Sequence, residues 1–374
     1  MNQRKTLTAR RLNRATLDRQ LLLRRKRLDV VEAVGRVGAL QAQEAPSPYI
    51  ALWNRLSGFD PADLDAAFVA REVVKASLMR ITLHAVQAKD YPAFYTAMLP
   101  TLHASRLNDQ RFKETGLSIA DADAYVPQLL QFAAQPRTAA ECAELLDKPR
   151  VWWALRTFAP LLHAPTGEPW SFGRRPSYVA APIGHRPVDA DESARHLVRR
   201  YLEAFGPASM QDVAQFVLFP RSRARARDVL QSMSKTLKKL EGPDGVELFD
   251  VPGVRLPAED KPAPPRLMVD VGQRPACVRR PQPDPEYRQL VTRRNGDVLP
   301  TLLVDGYVAG VWRLVDGGIE ATAFQPLSAQ AWDGLAAEAR KLAALLVDRD
   351  PHVYRRYHHW WKSLPKTDVR RLTA

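Results

Sequence analysis

Cysteine is scarce. Cys142 and Cys277 are the only two in the chain, and neither sits in a CxxC pair or a Cys/His cluster. That excludes a disulfide framework and a thiolate-based zinc site. Cys142 lies in a helix-like run, where a packing role is expected. No GxGxxG or Walker-type loop occurs, so no nucleotide cofactor is expected. No apolar run approaches the roughly 18–20 residues that span a bilayer. The basic N-terminus lacks the apolar stretch of a secretory leader. No membrane partner is expected. Acidic residues are in deficit, 41 Asp and Glu against 55 Lys and Arg, and they form no cluster of the kind that holds a nuclease's metal ions. Neither a metal nor a cofactor is expected.

What the chain has in excess is positive charge. The net charge of +14 calls for a polyanionic partner. With a membrane surface disfavoured, that partner is nucleic acid, and the expected location is cytoplasmic and nucleoid-associated. A length of 374 residues allows two to four domains, and 45% hydrophobic residues allow each a core.

One pattern recurs: helix, turn, second helix, short β-hairpin. It reads as a winged helix, a helix-turn-helix with a β-wing. The first unit covers residues 1–105. Val30, Val34 and Val37 have helical spacing. Ser47 with Pro48, and Asp60 with Pro61, read as helix starts. Val73–Ser77 and Arg80–Val86 read as strands, and Asp90 as the start of a closing helix. The second unit covers 106–188. Thr138-Ala-Ala-Glu141 is a capping-box signature, Val151–Leu161 the second helix, and Leu161–Phe172 the wing. The third covers 189–257, with helices starting at Ser209 and Pro220 and a wing over Leu237–Val251. Residues 258–374 change character. Asn295-Gly296 and Asp305-Gly306 are tight-turn signals flanked by Leu290–Thr292, Pro300–Val304 and Tyr307–Trp312. A helix follows over 328–346, then a basic, aromatic tail. The fold class expected is α+β: tandem winged-helix units followed by a small antiparallel β-barrel.

Positive charge concentrates in places. Residues 1–27 hold ten Lys and Arg against one acid, Asp18; a solvated helix face is the plain reading. Arg221, Arg223, Arg225 and Arg227 alternate at the start of the third unit's second helix. Spacing of two spreads them around the helix, so some face solvent and can contact phosphate. Arg293, Arg294 and Asn295 sit near the tip of a hairpin that could enter a DNA groove, or in an ordinary exposed loop. His358, His359, Trp360 and Trp361 could stack on bases, but packing against the barrel is the expectation.

Gln41 breaks the apolar stripe at the next helical position after Val37. Burying its amide without partners costs about 1–3 kcal/mol. If the helix ends near Leu40, Gln41 and Gln43 lie in an extended segment and share a side. Spacing alone leaves two readings open: a functional pair, or glutamines that satisfy backbone groups in a turn.

The segment Leu40-Gln41-Ala42-Gln43-Glu44-Ala45-Pro46, followed by Pro48-Tyr49-Ile50-Ala51-Leu52-Trp53, resembles the AlkZ-like winged-helix DNA glycosylases. So do Met79-Arg80-Ile81-Thr82-Leu83-His84, Phe205-Gly206-Pro207-Ala208, Asn295-Gly296-Asp297 and the run from Val304 to Arg313. The resemblance implies a concave basic surface around duplex DNA, Gln41 and Gln43 as the catalytic pair, and a probing hairpin at Arg293–Asp297. It implies removal of N7-alkylated purines, including bulky adducts and interstrand cross-links from genotoxic natural products, in repair or self-resistance. A related subgroup has Asp at the position of Gln43, and Glu44 stands where Asp is expected. Arg80 and His84 are candidates for holding DNA, although a lone histidine in a strand is more often structural.

Glutamine does not exchange protons near neutral pH. A Gln pair therefore suits loss of a base that is already cationic, with two amide oxygens steadying charge and a water beside C1′. Glu44 is the candidate if a true base is needed. No lysine in the motif is placed for a Schiff base, so a monofunctional, monomeric glycosylase acting on duplex DNA with alkylated bases is expected. The competing reading is a winged-helix transcription regulator or architectural protein without catalysis.

Overall fold

The computed structural model describes residues 6–182, 189–219, 221–269, 285–316, 318–349, 354–365 and 368–373. Cys277 and nearly all of the Val269–Asp284 stretch lie outside them. The architecture is α+β with antiparallel sheets.

Local signals place most elements. Val30–Val37 is a helix capped by the Asp29 side chain, with all three stripe valines buried. Asp60 caps the helix Pro61–Val69. Thr138 and Glu141 form a reciprocal capping box at Ala139–Leu146, and Ser209 with Asp212 forms another at Met210–Val217. Asp305 and Gly306, at φ +48° and +80°, turn Thr301–Val304 into Tyr307–Val315. A side chain at position 306 would meet Asn13 Oδ1 at 2.8 Å, so glycine is also required by space there.

The hairpins expected as separate wings of the first two units are joined. Leu40–Gln41, Leu83–Gln87, Val73–Ser77, Leu161–Ala164, Ser177–Ala180 and Arg137–Thr138 form one six-stranded sheet in that order, bridged where Lys75 pairs with His163. The hairpin expected as the third wing pairs Lys238–Glu241 with Glu247–Asp250 in a separate two-stranded sheet, bridged to Ala208 through Phe249. The C-terminal strands form an open five-stranded sheet ordered Asp368–Thr373, Gly318–Ala323, Tyr307–Val315, Thr301–Val304, Arg266–Met268. Among the described residues it does not close into the expected barrel. The helix Ala329–Val347 packs on it.

Several boundaries differ from expectation. Helix Pro149–Phe158 ends before Leu161, which belongs to a strand paired with Ser177–Ala180, so Leu161–Phe172 is not itself the hairpin. Ser47 is the first helical residue rather than the cap; its hydroxyl is buried and bonds the Tyr354 hydroxyl at 2.9 Å. Arg80 is not in a strand: Met79–Ile81 is a 3-10 turn with Arg80 at φ +56°. Leu290 belongs to the helix Pro285–Val291, not to a strand.

Three arginines of the basic N-terminal segment act as a clasp, while Arg10, Arg24 and Arg27 are exposed, as a solvated face requires, and Arg4 and Lys5 lie outside the described residues. Arg14 is fully buried, pairs with the Asp305 carboxylate and donates to its carbonyl at 2.9 Å. Arg19 binds both Asp250 oxygens at 2.8 Å, and Arg25 reaches Glu338. Arg19 and Asp250 are buried on both sides, and the three pairs together tie the N-terminal segment to distant parts of the chain. Two apolar cores result. One joins Leu17–Phe68 to the C-terminal sheet; the other runs from Ala39 to Val251. The six-stranded sheet lies between them, with Val73 and Ala85 facing the first and Val74 and Val86 the second.

Candidate active site at the Gln-x-Gln strand

The helix Val30–Val37 ends at Gly38, at φ +81°, and the chain extends at once. Leu40 pairs with Ala85 and Gln41 with His84 at the edge of the six-stranded sheet; Ala42 N donates to Leu83 O at 2.8 Å. Gln41 therefore lies in the strand, while Gln43 falls just beyond it at a bend of the chain, so the extended segment expected to hold both stops at Gln41. Gln41 is half-buried and Gln43 exposed. Gln43 Oε1 accepts from Leu83 N at 3.4 Å, while Gln41 Oε1 is buried without a protein partner.

Directly opposite partners in an antiparallel ladder share a face. Gln41, His84 and Ala76 thus point one way; Leu40, Ala85 and Lys75 point the other. His84 is fully buried and its Nε2 has no protein partner. Burial, with the nearby Arg80 charge, pushes its pKa down to about 3. Lys75, on the opposite face, is buried with its Nζ 4.3 Å from the Phe172 ring centroid. Burial lowers its pKa to about 8, with Glu44 opposing the shift. Its face directs it away from Gln41.

Glu44 pairs with Arg356 at 2.8 Å, and Arg356 lies 3.8 Å from Asp297. The Trp360 indole N–H donates to Asp297 at 2.9 Å, and the Arg293 guanidinium lies 5.0 Å from a Trp360 ring centroid. The segment Arg355–Ser363 thus ties the glutamine motif to the Arg293–Asp297 turn. Arg356 escaped sequence reasoning; the basic, aromatic character of the tail was the signal available.

The turn itself is a five-residue loop closed by a Thr292–Val298 bridge and Arg293 N to Asp297 O at 2.8 Å. Arg293 is not at its tip: two of its guanidinium nitrogens are buried without partners, and burial lowers its pKa. Arg294 and Asn295 are exposed, although the Asn295 amide bonds Asp297 at 2.9 Å. Burial works against the Asp297 charge, yet bonds from Trp360 and Asn295 hold its carboxyl below the usual range.

The third-unit arginines separate. Arg221 precedes the helix Ser222–Ser232 in a left-handed conformation and is exposed, as is Arg223; Arg225 pairs with Asp191 at 2.5 Å. Arg80 lies 5.8 Å from the Phe216 ring centroid. Trp361 is buried in the C-terminal core, and His359 tilts against Trp360. Cys142 is a buried free thiol. Among the described residues no group of three His, Cys, Asp or Glu could hold a metal, and no helix is long and apolar enough to cross a membrane.

The solved structure of DNA glycosylase AlkZ from Streptomyces sahachiroi shares this fold, with a TM-score of 0.75 at 19% identity over 90% of this chain and 96% of that one. A curated relative, the interstrand DNA cross-link repair glycosylase of the same organism, is 24% identical over 341 residues, 82% of this chain and 88% of that protein. A family model described as DNA glycosylase AlkZ-like matches residues 34–345, from within the valine stripe to the C-terminal helix. The chain is therefore a DNA glycosylase, and it belongs to the AlkZ-like family.

Proposed function

We propose that the enzyme hydrolyses the N-glycosidic bond of alkylated purines in duplex DNA, N7-alkylguanine above all, without cutting the strand. The observation that carries this reading is the amide pair Gln41 and Gln43 at a sheet edge, with Gln41 Oε1 buried and unpartnered. An amide pair supplies dipoles and no protons. That suits a base whose ring is already cationic and leaves without an acid, while charge develops on the sugar. Lys75, the lysine with a lowered pKa, faces away from Gln41, which supports hydrolysis over Schiff-base chemistry. The relative named for interstrand cross-link repair supports bulky adducts and cross-links as further substrates. We read the three helix-and-hairpin repeats as winged-helix units, with Arg221, Arg223 and Arg294 as exposed phosphate contacts and the protein acting as a monomer.

The test is incubation with a duplex carrying one N7-methylguanine. Free base should be released, leaving an abasic site in an intact strand. No release would overturn the reading, and rapid strand cleavage by the protein would overturn its monofunctional part.

A further inference from the structure

Gln43 is the less secured of the two glutamines. Strand pairing stops at Gln41, and Gln43 lies in the bend that leads into the helix Ser47–Trp53. Its side chain is exposed, and the hydrogen bond that Leu83 N donates to its Oε1 is long, at 3.4 Å. The bend closes on itself where Ser47 N donates to Glu44 O at 3.1 Å. A catalytic amide must be held near its working geometry, and a free glutamine side chain is among the more mobile ones.

What fastens the bend comes from the far end of the chain. Ser47, at its helical end, bonds the Tyr354 hydroxyl at 2.9 Å, and both residues are buried. Glu44, the residue after Gln43, pairs with Arg356 Nη2 at 2.8 Å. The two fastenings bracket the bend, and both belong to one C-terminal segment. That segment is itself secured. Tyr357 and Trp361 are buried in the C-terminal core, and Arg356 Nη2 donates to the Tyr357 hydroxyl at 2.7 Å. The same guanidinium stands 3.8 Å from Asp297, so a third segment also sets its orientation. The Arg356 side chain is 56% exposed, and exposed ion pairs contribute little to folding. A loss of function there is therefore separable from a loss of fold.

We propose that Arg356 is a positioning residue for base excision. It acts through Glu44: by holding that carboxylate it fixes the bend from which the Gln43 amide reaches the sugar. Glu44 then serves as an anchor and not as a base. Tyr354 secures the other end of the bend through Ser47.

This inference rests on the proposed hydrolysis of N7-alkylguanine and on Gln43 as a member of the amide pair. It is tested with the full chain by single-turnover release of N7-methylguanine from a duplex over a range of protein concentrations. Wild type, Arg356→Ala, Arg356→Lys, Glu44→Gln and Gln43→Ala are compared. Arg356→Ala is also combined with Glu44→Gln and with Gln43→Ala. Melting temperature and affinity for undamaged DNA are measured on each. Arg356→Ala should lower the rate at saturating protein about 10–100-fold, since a misplacement of about 1 Å can cost about 10²-fold. The half-saturating protein concentration should stay near wild type. Arg356→Lys keeps a charged nitrogen for Glu44 and should recover most of the loss. Glu44→Gln should be as slow as Arg356→Ala, and their combination no slower, because the two form one fastening. On the Gln43→Ala background, Arg356→Ala should add nothing.

A wild-type saturated rate for Arg356→Ala would overturn this inference alone. So would a loss confined to DNA affinity, which would make Arg356 a phosphate contact. Glu44→Gln far slower than Arg356→Ala would make Glu44 a base and overturn it too. A full further loss from Arg356→Ala on the Gln43→Ala background would show that Arg356 does not act through Gln43. A wild-type rate for Gln43→Ala would overturn the amide pair, and a wild type that releases no base the proposed function itself.

Discussion

The edge strand of Gln41 and the turn Arg293–Asp297 both carry polar side chains, and they differ in how many of those groups find partners within the chain. At the strand, Gln41 Oε1 and His84 Nε2 are buried and left without protein partners. At the turn, the Asp297 carboxylate is met internally, while two buried guanidinium nitrogens of Arg293 have no hydrogen-bond partner. Asp297 takes bonds from Asn295 and Trp360, and Arg293 lies against the Trp360 ring. The difference teaches where function and scaffolding divide. Unmet hydrogen-bonding capacity costs stability wherever it is left, at Gln41, His84 and Arg293 alike. Capacity met within the chain, as at Asp297, holds the loop in shape and leaves Arg294 exposed at its tip.

The sharpest break of this comparison is at the strand. Gln41→Ala with Gln43→Ala should lose more base release than any pair of changes at the turn. Because the two act as a unit, the double variant should be little worse than the poorer single one. A double loss equal to the product of the singles would make them independent contacts. A second, smaller effect sits on stability. His84 and His163 are both held uncharged by burial, with pKa values near 3. Their folded values lie below the unfolded value of about 6.5, so the unfolded state gains protons first as pH falls. Their stabilising contribution is thus fully present above about pH 6.5 and is lost progressively toward about pH 3. Each contributes up to about 1.4 kcal/mol per pH unit in that window. Denaturant melts between about pH 6.5 and 5, above most carboxylate titration, should show the slope, and His84→Phe should flatten it. A flat wild-type profile would mean that the histidines take up protons as readily in the folded state as in the unfolded one.

At the turn the two arginines should part company. Arg293→Ala should lower stability by about 0.5–1 kcal/mol through loss of the Trp360 contact. Arg294→Ala should leave the melting temperature alone and reduce the salt slope of DNA binding by about one. Identical behaviour of the two variants would erase the distinction between scaffold and contact. The smallest effect on stability belongs to Glu44→Gln. Its partner Arg356 is 56% exposed, so the pair should contribute under about 1 kcal/mol to the melt. A larger loss of base release than of stability would show that the tie to the turn matters to the chemistry.

What could be read from the chain depended on distance along it. Capping boxes at Thr138 and Ser209, the cap at Asp60 and the Asp305-Gly306 turn are local, and each formed as the sequence dictates. Pairings across long separations left no such signal. Nothing near Lys75 announces that it will meet His163 and join strands from distant segments into one sheet. The N-terminal arginines read as a DNA-facing or solvated charge run. Their acidic partners, Asp305, Asp250 and Glu338, lie hundreds of residues away. Leu290 looked like a strand because an Asn-Gly turn follows it, yet helix Pro285–Val291 took it. At the site, Gln41 was visible as an amide in an apolar stripe, but its meaning came from resemblance. His84 was visible only as a lone histidine; the register that sets it against Gln41 is a property of the fold.

The central claim is that Gln41 acts on bond breaking and not on folding or DNA affinity. The most direct measurement is single-turnover release of N7-methylguanine by Gln41→Ala at saturating protein, with melting temperature and undamaged-DNA affinity taken on the same preparation. The account predicts a rate about 10²–10³-fold below wild type with the other two quantities unchanged. Release at the wild-type rate, or a slow rate matched by a large fall in melting temperature, would contradict it.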